Sequence, residues 1–200
     1  MYKIYFVLLF LLSSCAIDFN HLRFYTNLNE EKQAHYKLTP FGSEDKPEEN
    51  IYSINSSRFL SGIKNDTANY KLIVFFTQWC PGSEAFLPGF IKDLKQHGDK
   101  PETYFISPDD WVYKYDYLEY AQNINLNGPV YLLDVYEYGE KRNPHYRMHK
   151  FISEICSNCE EVSGFPSLIL FDRRNEVVYK HTGAVSFDTI VEIMKGMQNH

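Results

Sequence analysis

The sequence has 200 residues, 44% of them hydrophobic and 23% charged, enough chain for one compact domain with a full core plus extensions. The formal net charge is -6 and no basic stripe runs along the chain, which sets nucleic-acid binding aside. Aromatic residues reach 16%, almost all of them Tyr and Phe.

Lys3 is the only charge before an apolar run over residues 4–12. That run is short for a bilayer span, which takes about 20 residues. It suits the apolar core of a secretory signal. It ends in Leu12-Ser13-Ser14-Cys15, which resembles a bacterial lipobox, where the signal is cut before a Cys that becomes acylated. Three readings stay open: a lipoprotein anchored through Cys15, an ordinary cleaved signal, and an uncleaved anchor. The first divides the chain into a signal peptide over 1–14, a lipid anchor and polar tether over 15–50, and a folded domain over 51–200. Either cleaved form places the domain outside the cytoplasm, where disulfides persist, and the lipoprotein form places it in the cell envelope. With Cys15 acylated, Cys80, Cys156 and Cys159 remain, an odd number that leaves one thiol free unless partners exchange.

Residues 42–50 contain no apolar side chain and cannot offset the entropy of ordering, so they read as tether. Residues 19–36 hold several apolar side chains, and a packed extension stays open there. The pattern turns globular at Ile51. The continuous apolar run over 71–76 predicts a buried central strand. Pro81 suits a first helical turn, and Phe86, Phe90 and Leu94 continue as a helix face that Pro88 should kink. Residues 102–107 form the next predicted strand.

Ser107-Pro108-Asp109-Asp110-Trp111 reads as a helix start, with Ser107 as cap, Pro108 at the first position and two acids complementing the dipole. On that helix Trp111, Tyr115 and Leu118 form a face expected to pack. Tyr113, Tyr117 and Tyr120 form another, either half-buried or a partner surface. A strand over 129–135 and a helix over 144–155 follow. Strands over 166–171 and 177–181 flank Asp172-Arg173-Arg174-Asn175 as a hairpin. Phe187, Ile190, Val191 and Met194 mark a closing amphipathic helix. Strands alternating with helices, then a hairpin and a last helix, predict a mixed sheet covered on both faces.

Three pieces of this order carry a resemblance. Phe75-Phe76-Thr77-Gln78-Trp79-Cys80 resembles the strand of the thioredoxin superfamily that ends in Trp-Cys. Pro88 stands at the spacing of that family's helix proline. Val162-Ser163-Gly164-Phe165-Pro166-Ser167 resembles the segment that holds its cis-proline, with Gly183-Ala184 following. The resemblance covers roughly 51–197 and is nearest to extracytoplasmic, membrane-tethered members, whose extra helix and strand correspond to the segment between Trp111 and Val135. It implies an α/β thioredoxin-like fold, a central mixed sheet flanked by helices with that insertion. It also implies thiol-disulfide exchange on protein substrates, with no cofactor, with Cys80 as nucleophile and with Trp79, Pro81, Phe165 and Pro166 around the substrate. A membrane reductant is a candidate partner.

At a helix start, free amides and the helix dipole stabilise a thiolate, the nucleophilic form. The family's second cysteine resolves the mixed disulfide. Ser83 stands in its place and cannot do so, though its hydroxyl can donate a hydrogen bond to a Cys80 thiolate. Val74 stands where the family often has a buried acid. Two readings follow: a monothiol exchanger resolved by another thiol, or a redox-inactive interaction module that has kept Cys80.

Cys156-Ser157-Asn158-Cys159 is the candidate replacement pair, either a local structural disulfide, a redox pair that communicates with Cys80, or free thiols. Zinc on His145, His149, Cys156 and Cys159 is disfavoured. Fourteen helical steps of about 1.5 Å put the outermost two about 21 Å apart, and ligands must converge on one ion. No metal is expected. There is no phosphate loop and no Gly-x-Ser-x-Gly elbow.

Overall fold

The computed structural model describes residues 24–198 except positions 46, 48, 99 and 140–142. The apolar run and Cys15 lie outside the described residues. No helix among the described residues is long and apolar enough to cross a membrane.

Seven strands form one sheet in the order β1-β2-β5-β4-β3-β6-β7. In chain order they are β1 (Thr39–Pro40), β2 (Ile51–Ile54), β3 (Lys71–Phe75), β4 (Glu102–Ser107), β5 (Val130–Leu133), β6 (Ser167–Phe171) and β7 (Val177–Thr182). The first five pair in parallel, and β6 and β7 pair antiparallel. The central run Lys71–Phe75 is buried at every position, as a strand covered on both faces requires. Its side chains alternate. Leu72 and Val74 join one apolar cluster, Ile73 and Phe75 the other.

Helices α3 (Pro81–Gln96), α4 (Lys114–Asn123) and α7 (Phe187–Gln198) supply Phe90, Tyr117 and Ile190 to the first cluster. Helices α2 (Ser56–Asn65) and α6 (Pro144–Ile155) supply Phe59 and Phe151 to the second. Two short helices complete the set, α1 (Glu30–Tyr36) and α5 (Val135–Tyr138). Helix α3 runs unbroken through Pro88. The parallel strands all point one way, so Asn55, Cys80, Asp109 and Asp134 follow the same end of the sheet. Loops at that end are where open α/β sheets build sites.

Four expectations need correction. The domain does not begin at residue 51. Tyr25 and Leu38 are core residues, β1 extends the sheet beside β2, and Glu49 pairs with Lys114 at 2.6 Å. The packed extension, kept open for residues 19–36, describes them from residue 24 on, and the packing continues to β1, because Tyr25 and Leu38 find core partners; the polar stretch 42–50 has no buried residue where it is described.

The helix after β4 starts later than its sequence signal. Ser107 still belongs to β4, in register with Leu132. Asp110 caps a 3-10 turn, Trp111–Tyr113, by accepting from the Val112 amide. That turn also shifts the phase of α4 relative to Trp111, so the tyrosine faces exchange. Tyr117 is fully buried and Tyr115 is exposed. Asp109 and Asp110 are buried as well, rather than solvated acids at a helix start.

Candidate active site

Cys80 is the N-cap of α3, with Pro81 at the first helical position, where its missing amide hydrogen costs nothing. The cysteine is half-buried and is the free thiol among the described residues. The Phe165–Pro166 peptide is cis. It brings the Phe165 carbonyl to 3.3 Å from Cys80 Sγ, and the thiol donates to it.

Gly82 makes this approach feasible. A Cβ there would lie 3.1 Å from the Phe165 carbonyl oxygen and 3.4 Å from Pro166 Cδ. The Pro166 loop is itself held from β7. Gly183, at φ +104°, donates its amide to the Pro166 carbonyl at 2.8 Å. Ser163 N–H donates to Thr182 Oγ1 at 3.1 Å. A side chain at Gly183 would strain that backbone.

Ser83 is fully buried on the first turn of α3. Its hydroxyl accepts from the Thr77 amide at 3.4 Å, and no hydrogen bond links it to Cys80 among the described residues. Ser83 therefore braces the strand-to-helix turn that carries Cys80. Trp79 is half exposed, 51%, and its ring meets Phe165 edge-on at 6.0 Å. The His145 ring also packs on Phe165, tilted, at 4.9 Å. Trp79, Phe165 and His145 form an aromatic cluster next to the carbonyl that Cys80 contacts.

A buried network behind this cluster was not anticipated from the sequence. The Trp79 indole donates to both carboxylate oxygens of Asp109, at 3.0 and 3.2 Å. The Tyr117 hydroxyl donates to Asp109 at 2.6 Å, lies 2.5 Å from Ser107 Oγ, and accepts from the Gln78 amide at 3.3 Å. Asp109 and Tyr117 thus fix both the side chain and the backbone of the residues just before Cys80. Burial, the largest influence, pushes the Asp109 carboxyl above its ordinary value, with the neighbouring Asp110 charge adding to it. Hydrogen bonds from Tyr117 and Trp79, and the Arg147 charge, oppose the rise. Burial first, and then the Asp109 charge, also lift the Tyr117 phenol well above the ordinary tyrosine range. Asp110 meets Arg147 of α6 at 3.4 Å, both nearly inaccessible. The only sequence signal for this was the Asp109-Asp110 pair, which reads equally well as solvated.

Tyr120 is a second unanticipated neighbour. Its hydroxyl is buried with no hydrogen-bond partner among the described residues. Its pKa is raised to about 12, chiefly by burial and then by the charges of Glu84 and Cys80.

Cys156 and Cys159 form a disulfide at the C-terminal end of α6, with Cα atoms 5.5 Å apart. Cys159 is fully buried, and Cys156 is nearly so. No group of three or more metal-ligating side chains occurs among the described residues.

No protein-family model matches this sequence, and no curated protein is significantly similar to it. Solved structures do resemble its fold. A thiol-disulfide isomerase from Corynebacterium glutamicum superposes with a TM-score of 0.52 at 15% identity, covering 82% of this chain and 95% of that one. A protein described as belonging to the thioredoxin-like superfamily gives 0.52 at 16% identity, covering 70% and 85%. The chain has a thioredoxin-like fold: a central mixed sheet flanked by helices, in which α4 and β5 occupy the expected insertion.

Proposed function

We propose that the protein carries out thiol-disulfide exchange on protein substrates, with Cys80 as its single reacting sulfur. One observation carries the reading: Cys80 Sγ sits at a helix N-terminus and 3.3 Å from the carbonyl that precedes cis Pro166. The helix end favours negative sulfur. Loss of the thiol proton removes the hydrogen bond to Phe165, and that carbonyl becomes free to accept an amide from an extended substrate. Trp79, Pro81, Phe165 and Pro166 frame the place where such a substrate lies.

The reaction balances without a cofactor. The Cys80 thiolate attacks one sulfur of a substrate disulfide, the old S–S bond breaks, and the other substrate sulfur leaves as a thiolate. A second thiolate, from the substrate or from a separate reductant, then attacks the mixed disulfide and releases Cys80. Ser83 cannot serve as that second thiol. Its place beneath Thr77 supports the turn. In the same proposal Cys15 is acylated and holds the domain at a membrane in the cell envelope, a reading supported by the short apolar run that ends in a lipobox-like sequence.

The second reading, a redox-inactive interaction module, draws on the same Ser83 and on a thiol already engaged by Phe165. A 2-thiopyridyl disulfide peptide separates the two. The exchange reading expects stoichiometric thiopyridone release that disappears in Cys80→Ala. A folded protein that releases none belongs to the module class.

A further inference from the structure

We propose that Tyr120, on the inserted helix α4, steadies the Cys80 thiolate: its phenol proton has no acceptor while Cys80 is a thiol and turns to the sulfur once that is charged. The inference deepens the exchange reading of Cys80 and rests on it.

Helix α4 presents two tyrosines, one turn apart, to the segment that leads from β3 into Cys80. Both rings pack on Phe76, Tyr117 edge-on at 5.6 Å and Tyr120 stacked at 6.1 Å with 22° between the planes. Their hydroxyls differ. Tyr117 Oη meets Asp109, Ser107 and the Gln78 amide. Tyr120 Oη is buried and has no hydrogen-bond partner among the described residues. Hiding a hydroxyl from water without a partner is destabilising, and such groups are rare in folded proteins. A phenylalanine would make the same stack without that penalty.

The missing partner lies in the other charge state of the site. The Phe76 ring offers no acceptor. The charged groups that reach the Tyr120 hydroxyl are Glu84 and Cys80, on the first turn of α3 and at its N-cap. Glu84 is exposed, where water screens it, whereas Cys80 is half-buried. Burial first, and then the charges of Glu84 and Cys80, raise the phenol to about 12. It therefore keeps its proton through the range in which an ordinary thiol ionises, about 8.5. The Cys80 thiol donates to the Phe165 carbonyl. Ionisation ends that bond and gives the phenol proton a nearby anion. An O–H dipole turned to a half-buried anion stabilises it, adding to the effect of the helix N-terminus.

No bond to Tyr120 forms or breaks. The thiol proton leaves to solvent and the phenol keeps its own. The same thiolate is the nucleophile of the first step and the leaving group when the mixed disulfide is resolved, so one hydroxyl serves both halves of the exchange.

The test is Tyr120→Phe in the full chain, which keeps the ring on Phe76. Iodoacetamide labelling of Cys80 and thiopyridone release from a 2-thiopyridyl disulfide peptide are followed at neutral pH and at about pH 10, above the ordinary thiol value. Both reactions should be about threefold slower than in the parent at neutral pH, and equal or faster at about pH 10, because a less stabilised thiolate is the better nucleophile once fully formed. The ultraviolet absorbance of the thiolate at neutral pH should fall in step, and the melting temperature should be no lower than the parent's. Equal rates at neutral pH, in a parent active toward the peptide, would overturn this proposal alone. Slowing by one factor at both pH values would also overturn it, since access rather than charge would have changed. A parent that is alkylated but releases no thiopyridone would overturn it together with the exchange reading.

Discussion

Cys80 caps the N-terminus of α3, while Cys156 caps the C-terminus of α6. The first sulfur sits where helix amides and the positive end of the dipole favour a thiolate, half-buried beside the Phe165 carbonyl. The second sits at the negative end of its helix, buried and bonded to Cys159. There a thiolate leaving group is opposed by the dipole, and an attacking thiol has little access. One fold thus holds two cysteine sites on helix ends of opposite polarity. In the proposed reading, polarity and access suit the first to exchange and the second to bracing, although the Cys-x-x-Cys spacing belongs to the second.

The difference can be broken at either end. Cys80→Ala should reduce exchange to the level of the protein-free control while leaving circular dichroism and the melting curve unchanged. Residual exchange in that variant would move the chemistry to the other helix end. The double change Cys156→Ser with Cys159→Ser should do the reverse. It should keep the exchange rate but cost about 2 kcal/mol of stability in denaturant unfolding, the loop-closure value for so short a ring.

Ser83→Cys sharpens the contrast by giving α3 a pair of its own. With an intramolecular resolving thiol, turnover in a disulfide-reduction assay with excess reductant should rise about tenfold. The buried position beneath Thr77 predicts a small accompanying loss of stability. Gly82→Ala probes the approach of the Pro166 loop, since its Cβ would press on the Phe165 carbonyl at 3.1 Å. Moving the Pro166 loop by a few tenths of an ångström should slow exchange with an extended peptide roughly threefold to tenfold. Alkylation of Cys80 by a small reagent should change less.

The smallest effect concerns Asp109, whose folded pKa lies above the ordinary value of 3.8 because of burial. The folded state binds that proton more tightly than the unfolded chain. Its contribution to stability is complete at pH below the ordinary value and is lost as pH rises through the raised one. Trp79, Tyr117, Arg147 and Asp110 face this carboxyl. Asp109→Asn keeps an acceptor for the indole and should flatten the decline of stability on the alkaline side of pH 4. An unchanged pH profile would place the titration elsewhere.

Much of the frame was legible because it rests on local pattern. The apolar run over 71–76 pointed to a buried strand, found as Lys71–Phe75, and Pro81 after Trp79-Cys80 marked the helix start that the structure contains. The hairpin signal at Asp172-Arg173-Arg174-Asn175 likewise became the β6–β7 turn. What sequence could not give was tertiary. Asp109 and Asp110 look solvated in the chain, and only the arrival of Tyr117 and Arg147 from elsewhere makes them a buried network. The 3-10 turn at Trp111 shifted the phase of α4 and exchanged its tyrosine faces. Tyr25 lies in a stretch the sequence left open between tether and packed extension, and only Trp111 and Tyr136 placed against it decide for packing.

The central claim, that Cys80 reacts while Cys156 and Cys159 brace, is tested most directly by stepwise alkylation followed by peptide mapping. The native protein is treated with iodoacetamide at neutral pH without reductant, then denatured, reduced and labelled with N-ethylmaleimide. The account predicts carbamidomethyl on Cys80 alone, with maleimide on Cys156 and Cys159. A disulfide between Cys80 and either of the other two, or a Cys80 that takes label only after denaturation, would contradict it.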